Sequence, residues 1–245
     1  MKSVGIIGFG RFGKVLANIL QKGFIIKAYD PDDNENISGV RMLSLDEVLK
    51  ESAIFIAVPI RKFNHLIEEI APELIKGTTI IDVCSVKQYP IEIMKKNLPQ
   101  NIGIIGTHPM FGPDSFFSNN HLKMMMNNTR DINGQFSFWV QYFSDQGIEI
   151  VQMSPEEHDE LAAETQGVTH YLGRMLKEYG IQKTKIDTKG FRDLLDLVDQ
   201  TCNDTWDLYN DLQSYNPYTK QMINKLKTAT NKLDKRLEDQ KNVEN

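Results

Sequence analysis

The residues best suited to chemistry lie where short apolar runs end. Gly8-Phe9-Gly10-Arg11-Phe12-Gly13 follows the apolar run 3–7 directly and opens a helical pattern. Glycines at that spacing let a chain turn sharply out of a strand, bring backbone close to a pyrophosphate and pack a helix on the strand, while the helix start offers N–H groups and partial positive charge. A second apolar run, 25–29, ends at Asp30, where an acid can bind both hydroxyls of an adenosine ribose. A carboxylate there repels a 2′-phosphate, and Pro31-Asp32-Asp33 offers no arginine, so the pattern favours NAD over NADP. The competing reading of Asp30 is that it simply opens a turn with Pro31. Val58-Pro59, ending a third run, places a tight turn near the cofactor, although proline is equally a plain strand stop.

Two further segments end strands on the same edge: Asp82-Val83-Cys84-Ser85-Val86-Lys87, and Gly106-Thr107-His108-Pro109-Met110-Phe111-Gly112-Pro113-Asp114-Ser115. In an open parallel sheet the carboxyl ends of the strands line the ligand crevice, so Ser85 and His108 are expected at the reactive end of a bound dinucleotide. A lone histidine at a strand end is most often a polar cap. The neighbouring serine, the glycine fingerprint and the Gly/Pro-shaped loop favour a catalytic role here. Cys84 has no activating His/Asp arrangement and reads as a buried thiol. Met124-Met125-Met126 reads as adaptable apolar packing, and five scattered histidines without an HExxH pattern predict no metal.

The elements that must carry these residues fall into two patterns. Up to about Ser154, β-branched runs at 3–7, 25–29, 53–58, 78–83, 102–106 and 149–153 alternate with helical patterns at 11–22, 45–51, 62–70, 89–97 and 135–146. The stretch 110–134 is rich in Asn, Asp, Gly and Pro and reads as a loop with one strand at 123–126. After Ser154 the period changes, and 156–179, 191–212 and 218–241 carry apolar residues at three- and four-residue spacing. The expected fold is therefore α/β: an N-terminal Rossmann-like, doubly wound parallel sheet over 1–153, followed by an all-helical domain over 154–245 for substrate binding and dimerisation. The apolar stripe of Leu194, Leu195, Leu197, Val198, Trp206, Leu208, Tyr209 and Leu212 is wider than a lone solvent-facing helix needs, which makes a homodimer the expected assembly.

Composition narrows the function. The 245 residues carry a net charge of -5, which argues against a general electrostatic grip on nucleic acid or anionic lipid. The strongest apolar stretch, 53–60, contains Pro59 and stops at Arg61, well short of the roughly 20 residues that cross a bilayer. Two cysteines support neither a disulfide framework nor a four-cysteine zinc site and fit a reducing, cytoplasmic compartment. The apolar run beginning at Val4 leaves no room for a leader ahead of it, so no targeting segment is expected.

The glycine fingerprint, the segment 82–87 and Thr107-His108-Pro109-Met110-Phe111-Gly112-Pro113 resemble the prephenate and arogenate dehydrogenases of tyrosine biosynthesis. Glu156-Glu157-His158-Asp159, Ala162-Ala163, Thr169-His170 and Thr188-Lys189-Gly190-Phe191 extend the resemblance, particularly to the plant-type arogenate dehydrogenases. It covers about 3–216. It departs from the plant enzymes in the acid ending the second strand, where they carry an NADP-type sequence, and in their transit peptide.

The resemblance implies an oxidative decarboxylation: hydride leaves the ring carbon bearing the hydroxyl for nicotinamide, the ring carboxylate departs as carbon dioxide, and the ring becomes aromatic. One base must take the hydroxyl proton, for which a neutral imidazole is suited. His108 is that base, with Ser85 either bonding the substrate hydroxyl or orienting the imidazole. The substrate is an anion, so His158, His170, Arg192, Thr165 and Gln166 are candidate partners. His158 and His170 stand twelve residues apart on one expected helix, about 18 Å along its axis, so both cannot touch one small group. By family match His170 lies nearer substrate. His158 is left between approaching the cofactor loop and capping the helix start, and Arg192 between gripping a carboxylate and an ordinary helix-start position. Many bacterial prephenate enzymes carry an arginine for the ring carboxylate where this chain is near Asp196, and an acid cannot do that task. The departure favours arogenate over prephenate, because arogenate bears an ammonium group that Asp204 could pair with. Two other readings stand beside this one: a dinucleotide-sensing module without turnover, and a 3-hydroxyacid-type dehydrogenase, which would release no carbon dioxide.

Overall fold

The computed structural model describes residues 2–32, 37–116 and 121–243. Asp33, within the turn argued to lack an arginine, lies outside them. The chain separates into two compact units, residues 1–158 and 159–245.

The first unit runs β1 (Ser3–Ile7), α1 (Arg11–Leu20), β2 (Ile25–Tyr29), β3 (Val40–Met42), α2 (Leu45–Val48), β4 (Ala53–Ile56), α3 (Ile60–Ile70), β5 (Thr79–Asp82), α4 (Gln88–Asn97), β6 (Gly103–Pro109), α5 (Pro113–Phe116), β7 (Leu122–Arg130), α6 (Gln135–Asp145) and β8 (Ile148–Gln152). One eight-stranded sheet takes them in the order β3-β2-β1-β4-β5-β6-β7-β8. From β3 to β6 all neighbours are parallel. Their carboxyl ends therefore share one edge, and the strand order reverses between β1 and β4, the position at which open α/β sheets bind ligands. The parallel sheet expected from the sequence is closed by a mixed margin, because β7 runs antiparallel to β6 and β8 parallel to β7.

The central strands are buried on both faces, which is why 53–58, 78–83 and 102–106 read as runs without apolar/polar alternation. On one face Ile6, Leu16, Leu20, Ile26, Phe55, Trp139 and Phe143 form a common core. Trp139 sits edge-on to Phe55 at 5.0 Å and tilted against Phe24 at 5.4 Å. Met124, Met125 and Met126 are buried, as expected of packing residues.

Several elements differ from expectation: the short helix α5 lies in the stretch read as loop, and β6 runs on to Pro109, past the expected 102–106. β3 went unread because three half-buried or exposed edge residues carry no periodicity. β7 extends beyond 123–126 through the polar Asn127-Asn128-Thr129-Arg130, held by its ladder with β6 rather than by burial. The helix expected over 191–212 is two helices, because Thr205 takes a non-helical backbone and its hydroxyl accepts the Leu208 N–H at 3.2 Å, starting a new helix.

α7 (Pro155–Ala162) passes from the first unit into the second. The second unit continues with a wide π-type turn over Ala163–Gly167, then α8 (Val168–Tyr179), α9 (Lys189–Cys202), α10 (Trp206–Tyr215) and α11 (Thr219–Val243). Gly173 lets α8 meet α9, since a Cβ there would lie 2.0 Å from Thr201 Oγ1. Among the described residues no helix is long and apolar enough to cross a membrane.

Candidate active site

The glycine turn is built as its spacing demands. Gly8 has φ +94°, and a Cβ on it would lie 2.5 Å from the Ala57 carbonyl oxygen on β4's outgoing chain and 3.0 Å from Val58 Cγ1. A Cβ on Gly13 would lie 2.3 Å from the Gly8 carbonyl oxygen, so only glycine lets α1 close on the loop. Gly10, by contrast, has nothing within 4 Å of where its Cβ would be. The backbone is thus open on the side a pyrophosphate would use, and α1 begins there with no side chain capping it among the described residues.

Asp30 lies at the same edge. Its Oδ2 accepts the Phe9 N–H at 2.6 Å and its Oδ1 the Asp32 N–H at 2.9 Å, which aims the carboxylate across the glycine loop. These residues fit a dinucleotide: an open glycine backbone, an uncapped helix start and an acid beside them. The Phe9 side chain is in the core, Phe12 packs at 6.4 Å from Phe111, and Arg11 is exposed. Val58 touches the loop, and Pro59 ends the strand as the residue before α3.

Further along the same edge is a buried polar network. Asp82 and Lys87 are both fully buried, and Lys87 Nζ donates to Asp82 Oδ1 and, at 2.5 Å, to the Thr107 carbonyl. The Cys84 N–H also donates to Asp82 Oδ1, at 3.0 Å, and the Thr107 hydroxyl to the Asp82 carbonyl, at 2.6 Å. Burial pushes the Asp82 carboxyl above its ordinary range, and the Lys87 ammonium pulls against that shift.

His108 follows Thr107 and is 2% exposed, and its Nδ1 lies 2.8 Å from Nε2 of His158, itself 3% exposed. The two rings meet edge to face at 5.0 Å. Burial, the second imidazole and the Lys87 ammonium, in that order, hold the proton affinity of His108 well below that of an ordinary imidazole. His108 is therefore neutral at neutral pH, the state a general base requires. His158 is the hydrogen-bond partner of the His108 ring among the described residues, and the half-buried Ser85 makes no hydrogen bond to it there. Among the described residues no group of three His, Cys, Asp or Glu side chains could hold a metal.

In the second unit the fold gathers some expected residues and separates others. His170 and Arg174 stand one turn apart on α8, and Asp204 is close enough to act on the His170 imidazole. Burial and the Arg174 guanidinium lower the proton affinity of His170, while Asp204 raises it. His170 Nδ1 and Arg174 Nε are buried without a partner among the described residues. Arg174 donates to the Asp204 carbonyl and stacks over Trp206 at 4.4 Å and Tyr209 at 5.5 Å. Thr165 lies in the π-type turn with its hydroxyl bonded to the Leu161 carbonyl at 2.7 Å, and the adjoining Gln166 carbonyl accepts the Thr169 hydroxyl at 2.8 Å. Arg192 reaches the Asp187 carbonyl at 2.8 Å and so braces the turn ahead of α9.

Three residues escaped the sequence reading: Lys87 and Asp82 as an ion pair, and Arg174. Arg174 had a signal, since it follows His170 by four residues and must share its helix face.

The reversed strand order, the glycine turn and the acid ending β2 define a dinucleotide-binding α/β protein. Residues 17–123 match the nucleotide-binding domain of prephenate dehydrogenase, and residues 175–245 a TYRAAT1-like C-terminal domain. Arogenate dehydrogenase 2, chloroplastic, of Arabidopsis thaliana is 30% identical over 251 residues, covering 96% of this chain and 69% of the relative. Arogenate dehydrogenase 1 of the same plant is 33% identical, again over 96% of this chain, but the chain spans only 39% of that relative's length. The chain belongs to the arogenate/prephenate dehydrogenase family. Two solved structures share its fold: prephenate dehydrogenase from A. aeolicus with hydroxyphenyl propionate and NAD+ (TM-score 0.76, 20% identity, 97% of this chain and 91% of that one), and Synechocystis arogenate dehydrogenase (0.72, 18%, 98% and 93%).

Proposed function

We propose that the chain catalyses the NAD-dependent oxidative decarboxylation of arogenate to tyrosine. The observation that carries the reading is His108: a buried, neutral imidazole, held at Nδ1, on the sheet edge that bears the glycine turn. When bound, the oxidised nicotinamide supplies the acceptor for the hydride. His108 Nε2 takes the hydroxyl proton as the C–H electron pair leaves the same carbon. The ring carboxylate is lost as carbon dioxide, its C–C electron pair completes the aromatic ring, and the proton returns from His108 to the oxygen. Ser85 donates to or accepts from that oxygen. Burial of the imidazole keeps water from supplying the base, and Lys87 opposes protonation of His108 between turnovers.

Substrate contact in the second unit falls first to His170 and Asp204, which the fold brings together. Asp204 pairs with the substrate ammonium. Thr165 and Arg192, whose side chains bond backbone of their own segments, and Gln166, whose carbonyl accepts the Thr169 hydroxyl, come second. Asp30 supports NAD over NADP, because its carboxylate, fixed beside the glycine loop, repels a 2′-phosphate. A homodimer through the helical unit is supported by the exposed Leu194, Trp206 and Leu208. Two buried cysteines not joined in a disulfide support a reducing cytoplasmic compartment.

The test is the initial rate of reduced-nicotinamide formation by purified protein, with arogenate and prephenate each paired with NAD and NADP. Faster arogenate turnover with NAD is expected. A prephenate preference would leave His108 standing and overturn the role of Asp204. No turnover with any pair, while NAD still binds, would make the chain a dinucleotide-sensing module.

A further inference from the structure

The pairing of His108 with His158 raises a question of proton placement. Both imidazoles are buried at 2–3% exposure, and Nδ1 of one faces Nε2 of the other at 2.8 Å. One hydrogen lies along that line. If His158 gives it, His108 must carry its own hydrogen on Nε2 and cannot accept a proton there. If His108 gives it, Nε2 of His108 is a lone pair. The doubly protonated pair is opposed by burial and by the Lys87 ammonium, which Asp82 and the Thr107 carbonyl hold in place. Among the described residues, the titratable groups that act on His108 are Lys87, from the segment between β5 and α4, and the His158 imidazole, from α7.

We propose that His158 is a positioning residue that accepts the Nδ1–H of His108, fixing the tautomer in which Nε2 is the base and sharing the positive charge while His108 holds the substrate proton. The inference rests on His108 being the base. The step is balanced within the pair: the substrate O–H bond breaks, an N–H bond forms at His108 Nε2, the Nδ1–H shifts toward His158 Nε2, and both movements reverse when the proton returns to the product oxygen. The net reaction therefore needs no proton path to solvent from two buried rings. α7 starts on Ser154, whose carbonyl accepts the His158 N–H at 3.0 Å and whose Oγ accepts the Glu157 N–H at 3.1 Å, so the first helical turn fixes the backbone that carries the His158 imidazole.

The test uses His158→Leu and His158→Gln in the full chain. Leucine removes the acceptor. Glutamine places an amide oxygen near the position of Nε2 without a titrating group. Removing the tautomer-setting partner of a general base is expected to lower kcat by about 10- to 100-fold in His158→Leu, with recovery in His158→Gln to within about threefold of the unaltered chain. Nitrogen-15 NMR of the five histidines gives a readout independent of turnover. His108 should show a protonated Nδ1 and an unprotonated Nε2 in the unaltered chain and in His158→Gln, and a mixture of tautomers in His158→Leu. A protonated Nε2 in the unaltered chain, or the same His108 tautomer and the same kcat in His158→Leu, would overturn the proposal. Should His158→Leu fail to fold, the unaltered spectrum and the glutamine variant still decide it. If no substrate is turned over but His108 has the expected tautomer, the functional reading fails and the positioning of His108 stands.

Discussion

Replacing Lys87 by Met tests the network that tunes the base. Methionine keeps the unbranched apolar stem and removes the charge, leaving Asp82 as a fully buried carboxyl without its cation. Breaking a buried ion pair by removing one partner costs about 3–5 kcal/mol at neutral pH. The penalty should depend on pH in a defined sense. Burial already holds the folded carboxyl of Asp82 above its ordinary value of 3.8, and Lys87 is the largest influence opposing that shift. Without Lys87 the carboxyl rises further and keeps its proton in the fold, while the unfolded chain gives it up above pH 3.8. A group raised in the folded state contributes most below the unfolded value, and stability falls as pH rises toward the folded value. The slope is about 1.4 kcal/mol per pH unit, so about 2.8 kcal/mol separates pH 5 from pH 7 while the folded carboxyl stays protonated. Urea unfolding followed by the fluorescence of Trp139, buried in the core of the same unit, should show a large loss at pH 7 and about half of it or less at pH 5. Asp82→Asn in the Lys87→Met background should recover much of the loss at pH 7, because no buried charge is then left alone. Activity gives a second readout. Lys87 is one of three influences holding the His108 proton affinity down, so the acid limb of kcat/KM, expected well below the ordinary imidazole range in the unaltered chain, should move up in the variant. A difference from the unaltered chain below about 1 kcal/mol at pH 7, or equal at pH 5 and pH 7, would refute the buried-pair reasoning.

Two substitutions probe the ends of the site. Gly13→Ala puts a Cβ 2.3 Å from the Gly8 carbonyl oxygen, which is backbone and cannot swing away; a stability loss of about 1–3 kcal/mol and at least a tenfold weaker NAD affinity by calorimetry are expected. Asp204→Asn removes the charge proposed for the substrate ammonium, and the ratio of kcat/KM for arogenate over prephenate should fall about tenfold or more. An unchanged ratio would take Asp204 out of the specificity argument.

What the sequence shows of this site and what it hides divide along a physical line. The glycine turn and the alternation of strands and helices could be read because each is dictated by the backbone of the segment itself: Gly8 must hold φ +94°, and Gly13 must clear a neighbouring carbonyl. Ser85 and His108 could be placed because residues at the ends of parallel strands have few places to go. The same reasoning could have split 191–212, since Thr205 three residues before Leu208 is a helix-start signal within the run. It could not have found β3, whose pairing with β2 rests on three edge residues.

The chemistry of His108 belongs to the other side of that line. The Asp82–Lys87 pair spans five residues, Lys87 to Thr107 twenty, Thr107 to Asp82 twenty-five, and His108 to His158 fifty. A lysine is almost never fully buried unless paired, so its burial cannot be read before its partner is known. Once the fold closes these separations, each residue limits the next. Lys87 is admitted to the interior by Asp82 and the Thr107 carbonyl, and its charge then helps to bar a proton from His108. His158, in the first turn of α7, meets that imidazole edge to face with its Nε2 2.8 Å from Nδ1. Position along the sheet edge says that His108 can be a base, and burial, His158 and Lys87 set its protonation state and, through it, the pH at which it can act.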